Sequence, residues 1–220
     1  MVLARYLRFI RSPTYAYQNE PVRWRELGAL FLLDVGVGLV LGLVLWAVTD
    51  YFELKHILDD PTLTEMLLGV LLAPPLEEII FRLWLRVHRT TLVAFAFLVF
   101  FIGVLLLPTS NWGAVLLMGL SVSLLVISLM GYDEDIERAL ARRFGWVFYG
   151  STALFALVHV TNYTPLTTQT FLLAPLLVLP QFVGGTMLGY IRIHYGIGFS
   201  ILYHAAFNAF FTFMVVVFPL

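Results

Sequence analysis

The sequence predicts an all-α, polytopic transmembrane helix bundle of about seven spans enclosing a buried hydrophilic site, and three observations carry that expectation. Hydrophobic residues make up 60% of the 220 residues and charged ones 12%, more apolar surface than a soluble domain of this size can bury. The apolar runs approach the ~20 residues a helix needs to cross a bilayer. The few ionisable residues inside those runs recur on three of them.

Taken in order, residues 1–27 are too polar to span and intersperse Arg5, Arg8, Arg11, Arg23 and Arg25 with Tyr6, Phe9 and Trp24. They read as a basic interfacial segment drawn to anionic headgroups, not as a signal peptide, because Arg11-Ser12-Pro13 interrupts any apolar core. Residues 28–220 form one membrane domain, with spans placed at 28–49, 63–87, 91–107, 112–130, 146–163, 170–190 and 197–218. Pro108-Thr109-Ser110-Asn111 makes a tight hairpin between the third and fourth. Asp133–Phe144 is a short amphipathic helix whose acids precede its bases, which suits the helix dipole. Gly38-x-x-x-Gly42 and Gly185-x-x-x-Gly189 are patterns that let helices approach closely.

Basic residues fall on alternating loops: five arginines before the first span, Arg86 and Arg89 after the second, Arg138, Arg142 and Arg143 after the fourth, and Arg192 after the sixth. The opposite loops hold only Lys55. The N-terminus is therefore expected in the cytoplasm. A net charge of -1 with dispersed arginines gives no case for nucleic acid. The absence of cysteine excludes thiol nucleophiles, disulfides, Fe-S clusters and cysteine-held zinc.

The chain is organised around Ala73-Pro74-Pro75-Leu76-Glu77-Glu78-Ile79-Ile80-Phe81-Arg82. Each ionised side chain at the bilayer centre costs roughly 2.5 to 3.5 kcal/mol on the mildest scale, so these charges need partners or water. Glu78 and Arg82, at i and i+4, share a helical face and pair, which leaves Glu77 free. The tandem prolines loosen the helix one turn earlier. By helical rise Glu77 lies about 15 Å deep, His159 about 20 Å, His204 about 10 Å and Asn208 about 16 Å, close enough for one pocket. Either histidine alone is as well explained by a bond to a neighbouring carbonyl. Ionisable groups on three spans, with no buried lysine to match them, favour a shared site. Asp34 suits a cap or a pairing with a neighbouring helix, Gln181 suits an inter-helix bond, and His88 and His194 sit near loops, where exposure is the default.

Glu77-Glu78-x-x-x-Arg82, Phe155-x-x-x-His159 and His204-x-x-x-Asn208 resemble, in order, the motifs of the CAAX-protease and bacteriocin-processing (CPBP, or Abi) family of intramembrane proteases. Gly185-Thr186-Met187-Leu188-Gly189-Tyr190 and Gly198-Phe199-Ser200-Ile201 are similar to its approach to the last motif, and the likeness covers about residues 65–212. The resemblance implies an endopeptidase acting on a membrane-associated peptide or protein, of CAAX type or a bacteriocin or regulator peptide. Glu77 would activate water, His159 would orient it and return a proton, Glu78 and Arg82 would lock the helix, and His204 and Asn208 would supply oxyanion donors. Glu77, His159 and His204 could also hold zinc. The catalytic water is expected to be metal-free, with zinc left open, because there is no HExxH helix and Glu78 would have to leave Arg82 to serve as base. The rival readings are a non-catalytic immunity or scaffold protein, and an ion-coupled transporter, which should show an inverted repeat; none is visible.

Overall fold

A computed structural model describes residues 2–57, 59, 61–108 and 111–217. Its interior is set by α10 (Leu179–Tyr195), in which every side chain from Gly185 to Tyr195 is buried. A helix apolar on all sides needs neighbours on all sides. These are α2 (Trp24–Tyr51), α8 (Phe144–Val158) and α11 (Ile197–Val217). The α8–α10 contact is close because Gly189 faces the Phe148 ring, which a β-carbon would meet at 2.5 Å. Gly38 of α2 lies against Phe211 of α11 in the same way, whereas Gly42 faces open space.

Among the described residues, four helices are long and apolar enough to cross a membrane: Trp24–Tyr51, Trp112–Leu129, Phe144–Asn162 and Ile197–Val217. A fifth span is reached by joining α9 (Thr168–Leu177) to α10 across a 44° bend. Pro175 and Pro180 flank that bend and remove two helical donors. The other two of the seven expected spans take different forms. Arg89–Leu105 is a shorter apolar helix. Residues 63–85 are a chain of short pieces: α3 (Leu63–Leu67), a π-helical turn (Leu68–Leu72), α4 (Ala73–Arg82) and a 3-10 turn (Leu83–Leu85). A two-residue ribbon, β1 (Lys55–His56) against antiparallel β2 (Tyr163–Thr164), is the only sheet among the described residues, so the class is all-helical.

α5 (Arg89–Leu106) and α6 (Asn111–Leu129) form the expected antiparallel pair. Ser121 Oγ donates to the Ala96 carbonyl at 2.8 Å, and Gly103 abuts Met118 and the Ala114 carbonyl. Thr109 and Ser110 of the predicted hairpin, and Phe218 at the end of the last predicted span, lie outside the described residues. The amphipathic helix appears as α7 (Asp133–Arg142).

The basic N-terminal segment is more than a headgroup-facing arm. α1 (Val2–Arg11) turns Tyr6 and Phe9 into the core against Phe148 and Tyr190, with Arg8 and Arg11 exposed. Arg5 reaches Glu26 Oε2 at 3.0 Å and also Glu20, and α2 begins at Trp24, four residues before the expected boundary at 28. His194, expected near a loop and exposed, is buried, with Nδ1 3.0 Å from Glu20.

Candidate active site

The site begins with a fault in a helix. Pro74 and Pro75 have no N–H, and the turn before them widens: the Ala73 amide donates to Leu68, five residues back. The Gly69 carbonyl, which Ala73 would serve in a regular α-helix, is thereby passed over, and its π-helical partner would be the nitrogen of Pro74. Asn208 of α11 fills the gap, donating from Nδ2 to the Gly69 carbonyl at 2.8 Å. The widened turn is thus pinned to α11 immediately before the carboxylates.

Glu77 and Glu78 come next on α4 and face different surroundings. Glu78 is completely buried, and its Oε1 lies 3.4 Å from Arg82 Nη1 and 3.1 Å from His204 Nδ1. Its Oε2 lies 2.5 Å from Ser200 Oγ. The expected pairing of Glu78 with Arg82 is present, though loosely: neither Nη1 nor Nη2 of Arg82 makes a hydrogen bond. The guanidinium instead sits over Phe155, its Cζ 3.6 Å from the ring centre, an arrangement favourable to a desolvated cation. Gly185 makes room for it, since a β-carbon there would come within 3.1 Å of Arg82 Nη2, Phe155 and Thr152.

Glu77 keeps about a quarter of its side chain exposed. Its Oε2 is buried with no hydrogen-bond partner, and two imidazole nitrogens face it: His204 Nε2 at 3.6 Å and His159 Nε2 at 3.9 Å. Both rings are anchored from behind. His159 Nδ1 lies 2.7 Å from the Phe155 carbonyl, and since a carbonyl only accepts, Nδ1 carries the proton. His204 Nδ1 donates to Glu78 in the same way. In its neutral form each ring therefore turns the Nε2 lone pair towards Glu77.

The three sequence motifs thus meet where α4, α8 and α11 meet, and Glu77, Glu78, Arg82, His159 and His204 form one cluster. Asn208 stands one turn beyond His204, with one amide hydrogen on Gly69 and a second remaining. Other buried polar residues lie apart. Asp34 accepts from Tyr203 Oη at 3.1 Å, the inter-helix bond expected of it. Gln181 Oε1 is buried without a hydrogen-bond partner.

Two contributors escaped the reading of the sequence. Ser200 stood out only as a small residue before the histidine, and Arg192 as a loop charge. Arg192 is buried in α10, and its Nε and Nη2 donate to the carbonyls of Arg82 and Leu83, each at 3.0 Å, satisfying the C-terminal end of α4. The signal that could have found it is its setting. No other charge stands in the run from Gly185 to Ile191 that leads into it, and a lone arginine at the end of such a run needs a buried partner.

The fit to a metal can be tested on these contacts. Anchored Nδ1–H groups are what ligating histidines usually show. No group of three or more His, Asp or Glu among the described residues is arranged to hold an ion, and Glu78 is occupied by His204, Ser200 and Arg82. The donor set does not suit a zinc centre with a separate carboxylate base, and no step below uses one.

Comparison with curated proteins and with solved structures returns no match. The family described as type II CAAX prenyl endopeptidase Rce1-like matches residues 60–210, a stretch that contains every residue of the cluster. The chain therefore belongs to the Rce1-like family of type II CAAX prenyl endopeptidases.

Proposed function

We propose that the protein is an intramembrane endopeptidase that cleaves a peptide bond of a membrane-associated substrate using water activated by Glu77. One observation carries this reading: a buried carboxylate oxygen with no hydrogen-bond partner, faced by two imidazole Nε2 atoms. Separations of 3.6 and 3.9 Å are too long for direct hydrogen bonds. A water bound against these three atoms can donate to the carboxylate and to an imidazole lone pair.

Glu77 takes a proton as the water oxygen bonds to the scissile carbonyl carbon, and the carbonyl π electrons move onto its oxygen. The free amide hydrogen of Asn208, and His204 Nε2 when that ring is protonated, are the donors for the oxyanion. When the carbon–nitrogen bond breaks, the proton held by Glu77 passes to the leaving nitrogen, directly or through His159. Glu78 and Arg82 hold the helix that carries the base. The water needs no metal in this scheme.

The substrate reaches the site from the bilayer, across a wall where Leu76, Ile80, Leu157 and Val158 are exposed beside Glu77 and His159. The family points to a CAAX-type tail. The bundle crosses the membrane seven times in this reading, with residues 63–85 and α5 as the two irregular or short spans. The exposed arginines of α1, α2, α5 and α7 support a cytoplasmic N-terminus in this reading.

The test uses full-length protein in lipid nanodiscs and a quenched peptide ending in a farnesylated CAAX tail. A comparison of membrane proteomes from cells expressing wild type or Glu77→Ala covers other substrates. Fragments that depend on Glu77 and persist with a chelator support the reading. Stoichiometric zinc with loss of cleavage on chelation overturns the metal-free water, and a cellular phenotype or solute uptake that survives Glu77→Ala without any fragment overturns the peptidase.

A further inference from the structure

Ser200 is fully buried on α11, one turn before His204, and its Oγ lies between two acceptors: Glu78 Oε2 at 2.5 Å and the Leu188 carbonyl at 3.0 Å. A hydroxyl has one proton to give. The Leu188 carbonyl lies inside α10, where the amide of Arg192 is its helical partner, so Glu78 is the neighbour that depends on the serine. Glu78 itself stands between two claimants. His204 Nδ1 and Arg82 Nη1 both approach Oε1, and Arg82 has Nη1 and Nη2 without hydrogen bonds. Left to itself, a carboxylate beside such a guanidinium turns to present both oxygens to the fork. That rotation would take Oε1 away from His204.

We propose that Ser200 is a positioning residue that holds the second oxygen of Glu78, withholds that carboxylate from a two-point pairing with Arg82, and so keeps His204 Nδ1 engaged and its Nε2 turned to Glu77. Ser200 touches no reacting atom. Its effect passes through Glu78 to the ring, and from there to the water. The consequence for catalysis rests on the function proposed above; the consequence for the ring does not.

The experiment reads the ring first. In full-length protein labelled with 15N-histidine in nanodiscs, with His204→Gln to assign the signal, wild type shows His204 as the Nδ1–H tautomer. Ser200→Ala, and Ser200→Cys, which keeps the volume but donates poorly, show mixed or Nε2–H tautomers. With the farnesylated peptide, both lower kcat by about 10- to 100-fold with KM unchanged, the scale expected when a catalytic group is misplaced by an ångström or less. An unchanged His204 tautomer in both variants overturns the proposal, whatever happens to activity. If wild-type protein cleaves nothing, the peptidase reading fails and the tautomer measurement still decides this one.

Discussion

Asn208 donates to the main-chain carbonyl of Gly69, a contact between the last helix and the only π-helical turn among the described residues. The pairing exists because Pro74 cannot supply the N–H that the widened turn would use. Asn208→Leu should leave that carbonyl without a partner and lower stability by about 1 to 3 kcal/mol, read as a fall in thermal midpoint. Activity should fall further than stability explains, since the remaining amide hydrogen goes too. Pro74→Ala restores an N–H within reach of the carbonyl. It should recover part of the midpoint in Asn208→Leu but none of the activity, and equal recovery of both would contradict the assignment.

The two adjacent glutamates should separate cleanly. Glu77→Gln removes the base, so cleavage should stop while the stability stays within about 1 kcal/mol of wild type, as no close ion pair is broken. Glu78→Gln leaves the buried Arg82 without its countercharge, and removing one partner of a buried pair costs about 3 to 5 kcal/mol. That variant should lose fold and activity together. A stable Glu78→Gln protein would mean that stacking on Phe155 is enough to hold the cation.

Arg192 should behave as a structural cap and not as an orientation charge. Arg192→Met frees the carbonyls of Arg82 and Leu83, with an expected loss of about 1 to 3 kcal/mol. Arg192→Lys keeps the charge but cannot bond both carbonyls from one planar group, and should recover less than half of the loss. Topology, read by labelling of single introduced cysteines, should be unchanged in either.

His56, in the ribbon outside the spans, has its pKa pushed down by burial, with Asp59 pulling the other way. Folding therefore favours the neutral ring, so the unfolded chain binds more protons once pH drops below about 6.5. Its contribution is complete above that value and is lost as pH falls through it. Comparing thermal midpoints at pH about 7.5 and about 5.5, on either side of that value, wild type should lose more than His56→Gln. Equal losses would show that the ring carries no such linkage.

The composition and three short motifs were enough to read the helical class and the meeting of Glu77, His159 and His204, because charge in lipid is so costly that few arrangements are open to it. The same logic found the Glu78–Arg82 pair and the bond to Asp34. Helix regularity was less legible. A hydropathy pattern shows residues 63–87 as one continuous run, and although Pro74 and Pro75 announce a loosened turn, only the folded chain shows it as π-helical with its orphaned carbonyl taken by Asn208. Arg192 misled for a related reason: its charge counts equally in a loop or at a helix end, and only the run of α10 to Tyr195 distinguishes the two. Ser200 gave no signal, since a small polar residue in an apolar helix is ordinary packing until a carboxylate is found against it.

The family's match starts at residue 60, but α1 and the segment after it are wedged among the later helices: Tyr6 meets Thr186, Arg86 bonds the Ala16 carbonyl and Asn19, Tyr15 bonds Glu137, and Arg5 neutralises the interior Glu26. A version trimmed to the matched borders would lose α2 and its Glu26 together with Arg5, and would strip the aromatic cover of Tyr6 and Phe9 from α10, the helix whose Arg192 holds the end of α4. The unit that folds is wider than the unit that is recognised.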